Sequence, residues 1–169
     1  GVPWCIKTNY AKVAEADTLV DNMQLDIGFY LHTKAPSSMG RWRDRLTGFN
    51  NHFWFAFTTE STTTDTCYAT WRPNLPQDGH YEVFVYIPFS NATVSYYIVH
   101  HKDGVDTVNI NQKNYTNEWI SLGSYNFEKG NKKYVYLGDA TGIAGQQIVF
   151  DAMNFSYRGS YVTNTKDFT

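Results

Sequence analysis

Apolar and polar residues alternate with a period of two along most of the chain. Tyr81, Val83, Val85 and Ile87 fall on one side of an extended segment, with Glu82, Phe84 and Tyr86 on the other. That is the pattern of a strand with one buried face. Tyr97, Val99 and His101 alternate in the same way with Ile98 and His100, and Asp103-Gly104 then predicts a tight hairpin into residues 105–111. Further strands are predicted at 25–31, 52–57, 66–72, 119–127, 134–137 and 147–155. Turn residues separate them: Pro73, Pro76 and Asp78-Gly79, then Gly130-Asn131, then the stretch 138–145. A helical period shows only at 11–20, and the threonine-rich stretch 58–66 reads as a polar loop. Nine or so short strands at this spacing predict an all-β, single-domain, antiparallel jelly-roll-like β-sandwich.

Three positions carry specific structural expectations. Trp71 at a strand end should fill the gap between sheets. Gly123 inside a strand pattern predicts a bulge. Asp151 stands among Ile148, Val149, Phe150 and Ala152, so its carboxylate must be paired, hydrogen-bonded or metal-bound.

Composition narrows the class. Of 169 residues, 42% are hydrophobic and 18% charged, the latter below the usual ~25%. A chain this apolar folds rather than staying disordered. A net charge of −2 excludes the broad basic field that nucleic acid or an anionic membrane would need, so no nucleic acid is expected as a partner. No membrane insertion is expected either: the longest apolar run, 81–89, is broken by Glu82 and Pro88. Aromatic residues make up 17% of the chain, enough that some rings should reach the surface. Cys5 and Cys67 form no C-x-x-C pair. The plain reading is one disulfide pinning the N-terminal segment, worth about 3–4 kcal/mol, with two buried free thiols as the alternative. A first residue of Gly1 fits a processed, extracellular chain. Asn91 and Asn114 are candidate N-glycosylation sites in loop-like surroundings, while a third sequon at Asn154 lies inside a strand pattern.

Several segments together resemble one known family. They are Ala69-Thr70-Trp71-Arg72-Pro73-Asn74-Leu75-Pro76, the run Gly79 to Pro88, and Tyr97-Ile98-Val99-His100-His101 with Asp103-Gly104. Val108 to Gln112, Trp119-Ile120-Ser121-Leu122-Gly123 and the closing Val149 to Phe155 complete the set. Their order and spacing resemble the golvesin C-terminal-like domain, also found as an accessory module in xanthan-lyase-type proteins. The resemblance implies a jelly-roll-like sandwich over residues 15–157, with extensions at 1–14 and 158–169. It also implies a non-catalytic appendage of extracellular proteins, presumed to bind carbohydrate, and offers no binding residues to carry over.

Side-chain chemistry gives candidates of unequal weight. No nucleophile elbow, zinc-protease motif, phosphate loop or dinucleotide fingerprint is present, so no enzyme and no cofactor are expected. His100 and His101 face opposite ways on a strand and cannot share one metal. Asp21, Asp139 and Asp151 are candidate oxygen ligands for a structural Ca²⁺, although carboxylates near strand ends also serve as caps. Arg41, Trp42 and Arg43 could grip an acidic polysaccharide, or form a solvated loop with Trp42 packed inward. Trp54, Phe84, Tyr86 and Trp119 are the other candidates for contact with a glycan or partner.

Two function classes follow. The first is a structural subunit of an extracellular assembly or filament, a homopolymer joined through terminal strand segments. Val2, Trp4 and Ile6 at one end and Tyr157 and Tyr161 at the other carry strand-compatible patterns. The alternative is a carbohydrate-binding module, supported by the aromatic excess and the Asn-rich loops (Asn109, Asn111, Asn114 and Asn117). The residues alone favour the first.

Overall fold

A computed structural model describes residues 16–35 and 41–163. Twelve strands run in chain order: β1 (Asp17–Val20), β2 (Phe29–Thr33), β3 (Arg43–Arg45), β4 (Phe53–Phe57), β5 (Cys67–Trp71), β6 (Gly79–Ile87), β7 (Tyr96–His101), β8 (Gly104–Asn109), β9 (Glu118–Phe127), β10 (Tyr134–Gly138), β11 (Gln147–Phe150) and β12 (Met153–Tyr157). They form three antiparallel sheets, ordered β1-β12-β6-β9, β2-β5-β10-β7-β8 and β11-β4-β3. The single all-β sandwich expected from the alternation is present.

Burial along β6 switches at every residue, as the pattern predicted, with Tyr81, Val83, Val85 and Ile87 inward. Trp71 lies fully buried between sheets. Its ring packs on Phe29 (5.4 Å between centroids) and stacks on Phe150 (6.2 Å, 18°), and its indole N–H donates to the Asp151 carbonyl at 2.8 Å. The bulge appears where Gly123 predicted it, with the β6–β9 register shifting between Val83 and Phe84. Gly123 holds φ 105° there, a value glycine reaches without strain. The hairpin between β7 and β8 closes on His101 opposite Gly104.

Four expectations are corrected. Residues 17–20, read as part of a helical stretch, pair with β12 as strand β1, because sheet pairing outweighs a weak local period. Strand 25–31 shifts to Phe29–Thr33. Segment 147–155 is two strands. It breaks at Asp151-Ala152, so that β11 joins β4 while β12 joins β6 and β1. The cysteine bridge is absent: Cys67 is a buried free thiol, and Cys5 lies outside the described residues. Desolvation, then the Asp139 charge, pushes the Cys67 thiol up to about 11, with Arg41 pulling partly back. A thiolate is what reacts, so Cys67 should resist alkylation in the folded protein. Iodoacetamide followed by peptide mass spectrometry should find Cys67 unmodified until denaturant is added.

Asp151 is fully buried, and its Oδ2 accepts the Phe49 N–H at 2.9 Å. Desolvation holds its carboxyl well above the usual range; the Phe49 amide opposes this and the Asp21 charge adds to it. No helix among the described residues is long and apolar enough to cross a membrane.

Candidate functional site

The inner residues of β5 and β10 are Cys67, Ala69, Trp71, Val135 and Leu137, all fully buried. The residues between them must therefore point away from the core. On the outer face, Tyr30 of β2 sits opposite Thr70 of β5, which sits opposite Tyr136 of β10, itself opposite Ile98 of β7. His32 lies opposite Tyr68, and Tyr134 opposite His100. Antiparallel pairing thus gathers five aromatic or imidazole rings from three separate stretches of chain, and β7 adds a sixth.

These rings order one another. His32 stacks on Tyr68 (4.9 Å, 12°) and Tyr68 on Tyr136 (5.1 Å, 28°), with Tyr30 beside His32 (6.5 Å, 29°). A second stack places His100 against Tyr134 (4.2 Å, 23°), and the Arg72 guanidinium lies over Tyr134 at 4.7 Å. Arg72 is held there by donating to the Asn131 carbonyl at 2.8 Å. Each ring pair contributes about 0.5–1.5 kcal/mol beyond its buried area, so the side chains are fixed before any ligand arrives. All are half-buried.

Asp65 completes the face. Its carboxylate lies over Gly138, accepts the Tyr136 hydroxyl, and accepts the Ala140 N–H at 2.7 Å. Burial and then the Asp65 carboxylate raise the Tyr136 hydroxyl far above the phenol range, so it stays a donor. Burial lowers His32, against a pull from Asp26. It also lowers His100, where Lys133, His101 and Arg72 add to the effect. Both imidazoles are neutral at pH 7 and each can donate and accept. Phenol hydroxyls, neutral imidazoles, a guanidinium and a carboxylate on a rigid aromatic bed suit a polyhydroxylated ligand with apolar C–H faces.

The residues singled out from sequence fall elsewhere. Trp42 is turned inward, packed edge-on against Phe150 (4.9 Å) with its N–H donating to the His32 carbonyl at 3.2 Å, so its ring is no platform for a sugar. Trp54 packs on Trp42 and His52. Arg41 reaches the Cys67 thiol. Arg43 belongs to an edge strand rather than a loop, with its guanidinium 5.9 Å from the Phe57 ring. Tyr86 and Trp119 meet edge-on at 5.2 Å with Phe49 as a third ring, and Phe84 lies under Arg158 at 5.9 Å. That second cluster lies on β6 and β9, away from the stacked face.

His100 and His101 point to opposite faces as expected. His101 Nε2 lies 2.6 Å from Asp106, and its ring stacks on Tyr125. Asp139 stands apart from Asp21 and Asp151: its two oxygens accept the Thr66 and Cys67 N–H groups at 2.8 and 2.9 Å. Among the candidate assembly residues, Tyr157 packs on Tyr81 (5.4 Å), and Lys102 lies over Tyr161. Val162 exchanges two hydrogen bonds with Asn126, so this end folds back on its own domain. Val2, Trp4 and Ile6 lie outside the described residues. Asn91 and Asn114 are exposed and Asn154 is buried.

Six residues of the stacked face, Tyr30, His32, Tyr68, Arg72, Tyr134 and Tyr136, were not singled out from sequence. The available signal was ring or polar residues at every second position in three strands, opposite an apolar face.

Comparison with known proteins gives a consistent kinship. The model of the Golvesin C-terminal domain matches residues 31–157. A xanthan lyase of Bacillus sp. (strain GL1) is 32% identical over 90 residues, covering 52% of this chain and 10% of that protein. The solved structure of a Paenibacillus xanthan lyase superposes with a TM-score of 0.68 at 22% identity, over 89% of this chain and 14% of that one. The chain therefore spans a small fraction of each xanthan lyase. A family 11 carbohydrate-binding module from a Clostridium thermocellum cellulosomal cellulase covers 90% of this chain and 99% of its own, at 8% identity and a TM-score of 0.41.

Proposed function

The chain belongs to the Golvesin C-terminal domain family, and from that premise we propose that it is a carbohydrate-binding module of an extracellular protein. It takes an extracellular polysaccharide on the outer face of β2-β5-β10-β7-β8. The observation that carries this reading is the pre-stacked field of Tyr30, His32, Tyr68, Tyr136, Tyr134 and His100, with Arg72 and Asp65 set into it. Sugars bind through hydroxyl hydrogen bonds and through contact of C–H faces with rings, and immobilised side chains reduce the ordering cost of binding. Two relatives named as lyases of xanthan, a polysaccharide, accord with this reading. These residues recognise; they do not transform.

Affinity electrophoresis in gels containing neutral glucans, xylans or uronate-bearing polysaccharides tests it. At least one polymer should retard the protein. Tyr134→Ala, which also frees Arg72 and His100, should weaken that retardation about tenfold, equivalent to roughly 1.4 kcal/mol. Arg43→Ala, on another sheet, should bind as the parent does. Retardation by none of the polymers, or equal retardation of the parent and a Tyr68→Ala/Tyr134→Ala double variant, would overturn it.

A further inference from the structure

Away from the stacked face, the buried oxygens without a hydrogen-bond partner among the described residues include three next to one turn: Asp21 Oδ1, Asn22 Oδ1 and Asp151 Oδ1. Their side chains are all at least nine-tenths buried, with relative exposures of 4%, 0% and 0%. Each is oriented by its other polar atom. Asp21 Oδ2 accepts the Asn50 amide at 3.0 Å, Asp151 Oδ2 accepts the Phe49 N–H at 2.9 Å, and Asn22 Nδ2 lies 2.8 Å from His52 Nδ1. His52 Nε2 lies 2.9 Å from Asp44 and donates to it. The Asn22 amide nitrogen faces the other ring nitrogen, so Asn22 Oδ1 is turned away from His52.

One turn, residues 48–52, positions all three groups. Gly48 (φ 92°) lets the chain pass so close to Asp151 that a Cβ there would sit 2.7 Å from Oδ2. Asn50 and Asn51 hold φ of 54° and 63° to complete the turn. Pairing of Val20 with Met153 sets Asp21 beside the Asp151–Ala152 junction, and the Asp21 charge adds to the rise in the Asp151 carboxyl. A water has two hydrogens and no charge, so it cannot serve three acceptors and two carboxylates at once. A divalent cation does both. The donors are all oxygen, which suits a hard ion, and a set drawn from one loop and a strand junction, with no built octahedron, suits the flexible coordination of Ca²⁺ better than that of Mg²⁺.

We propose that Asp21, Asn22 and Asp151 hold a structural Ca²⁺, completed by main-chain oxygens and water. No three His, Cys, Asp or Glu side chains among the described residues form a metal set, so this site has two carboxylates and takes its third side-chain oxygen from the unpartnered Asn22 amide. The ion would tie the end of β1 to the β11–β12 junction. The Asp151 carbonyl is already fixed by Trp71 of the opposite sheet, so one ion would brace all three sheets.

The full chain, stripped with EDTA, tests this by thermal melting with and without CaCl₂ and by terbium emission sensitised through Trp71. At a calcium concentration about a hundredfold above its dissociation constant, Tm should rise by about 5–10 °C. Terbium should emit and be displaced by calcium. Asp21→Asn, which keeps an oxygen for Asn50, should lose both responses, and Asp139→Asn, whose parent carboxylate is fully occupied, should keep them. An EDTA-insensitive Tm with no terbium emission overturns the site, and so does an Asp21→Asn variant that responds like the parent. Should that variant fail to fold, the parent's own response to EDTA and terbium decides.

Discussion

Replacing Trp71 with alanine is expected to lower the free energy of unfolding by about 3–5 kcal/mol, read as a shift in a urea melt. Three aromatic neighbours surround the indole, at 5.4 Å (Phe29), 6.2 Å (Phe150) and 6.3 Å (Tyr97), and none can collapse far into the space it leaves. The cavity cost is joined by a second one. The Asp151 carbonyl loses its donor, and a buried acceptor left unpaired costs about 1–3 kcal/mol by itself. Trp71→Phe separates the two, because it restores most of the volume but leaves the carbonyl unpaired. It should recover about half of the loss. A Trp71→Ala loss below about 1 kcal/mol would mean that the gap between sheets closes by other means.

Gly138→Ala should destabilise the protein by about 3 kcal/mol, through a collision on the opposite side of the same sheet. A Cβ at this position runs into the Asp65 carboxylate. Asp65 then has to leave the Tyr136 hydroxyl and the Ala140 N–H, two bonds to a charged group worth about 1.5–3 kcal/mol each. The glycine is needed for its missing side chain, since its φ lies outside the left-handed range. A double-mutant cycle isolates the cause: in an Asp65→Ala background the same change should cost under about 1 kcal/mol, because nothing remains to be struck. Equal costs in both backgrounds would place the strain elsewhere. Polysaccharide retardation, measured on the same variants, should weaken with the loss of Asp65 from the face.

The fold was legible wherever one face of a strand is buried and the other is not. β6, β5, β10 and β7 have that form, and their alternation alone orients Trp71, Val99 and Val135 inward. It failed where both faces are covered. Apart from Gln147 and Tyr157 at their outer ends, β11 and β12 are buried throughout, so nothing in their sequence marks the change of sheet at Asp151-Ala152. It failed again at β1 and β3, short strands that exist because a partner strand offers its edge, which is a non-local fact.

The candidate site was hidden for a related reason. Period-two alternation shows that Tyr68 and Tyr136 point outward, but not that β5 and β10 are neighbours, and only their adjacency turns scattered tyrosines into a stack. Trp42 follows the second of its two readings, packed inward rather than offered to a glycan. Arg43 and Arg45 are exposed as a solvated run would be, but they form a strand rather than a loop, and the indole lies at the core boundary. Asp151 was legible as a problem, a carboxylate in apolar company, and the structure supplies only half of its solution.

The three-residue strand β3 has one further consequence. It closes the β11-β4-β3 sheet with Arg43, Asp44 and Arg45, all exposed, and the guanidinium of Arg45 lies over Phe55 at 4.8 Å and near Phe89 at 5.9 Å. A border this short and this charged is a poor template for another backbone, because a newcomer would have to desolvate three ions to gain a few ladder bonds. Under the proposed carbohydrate-binding role, copies crowded on one polymer should be kept by that border from zippering together.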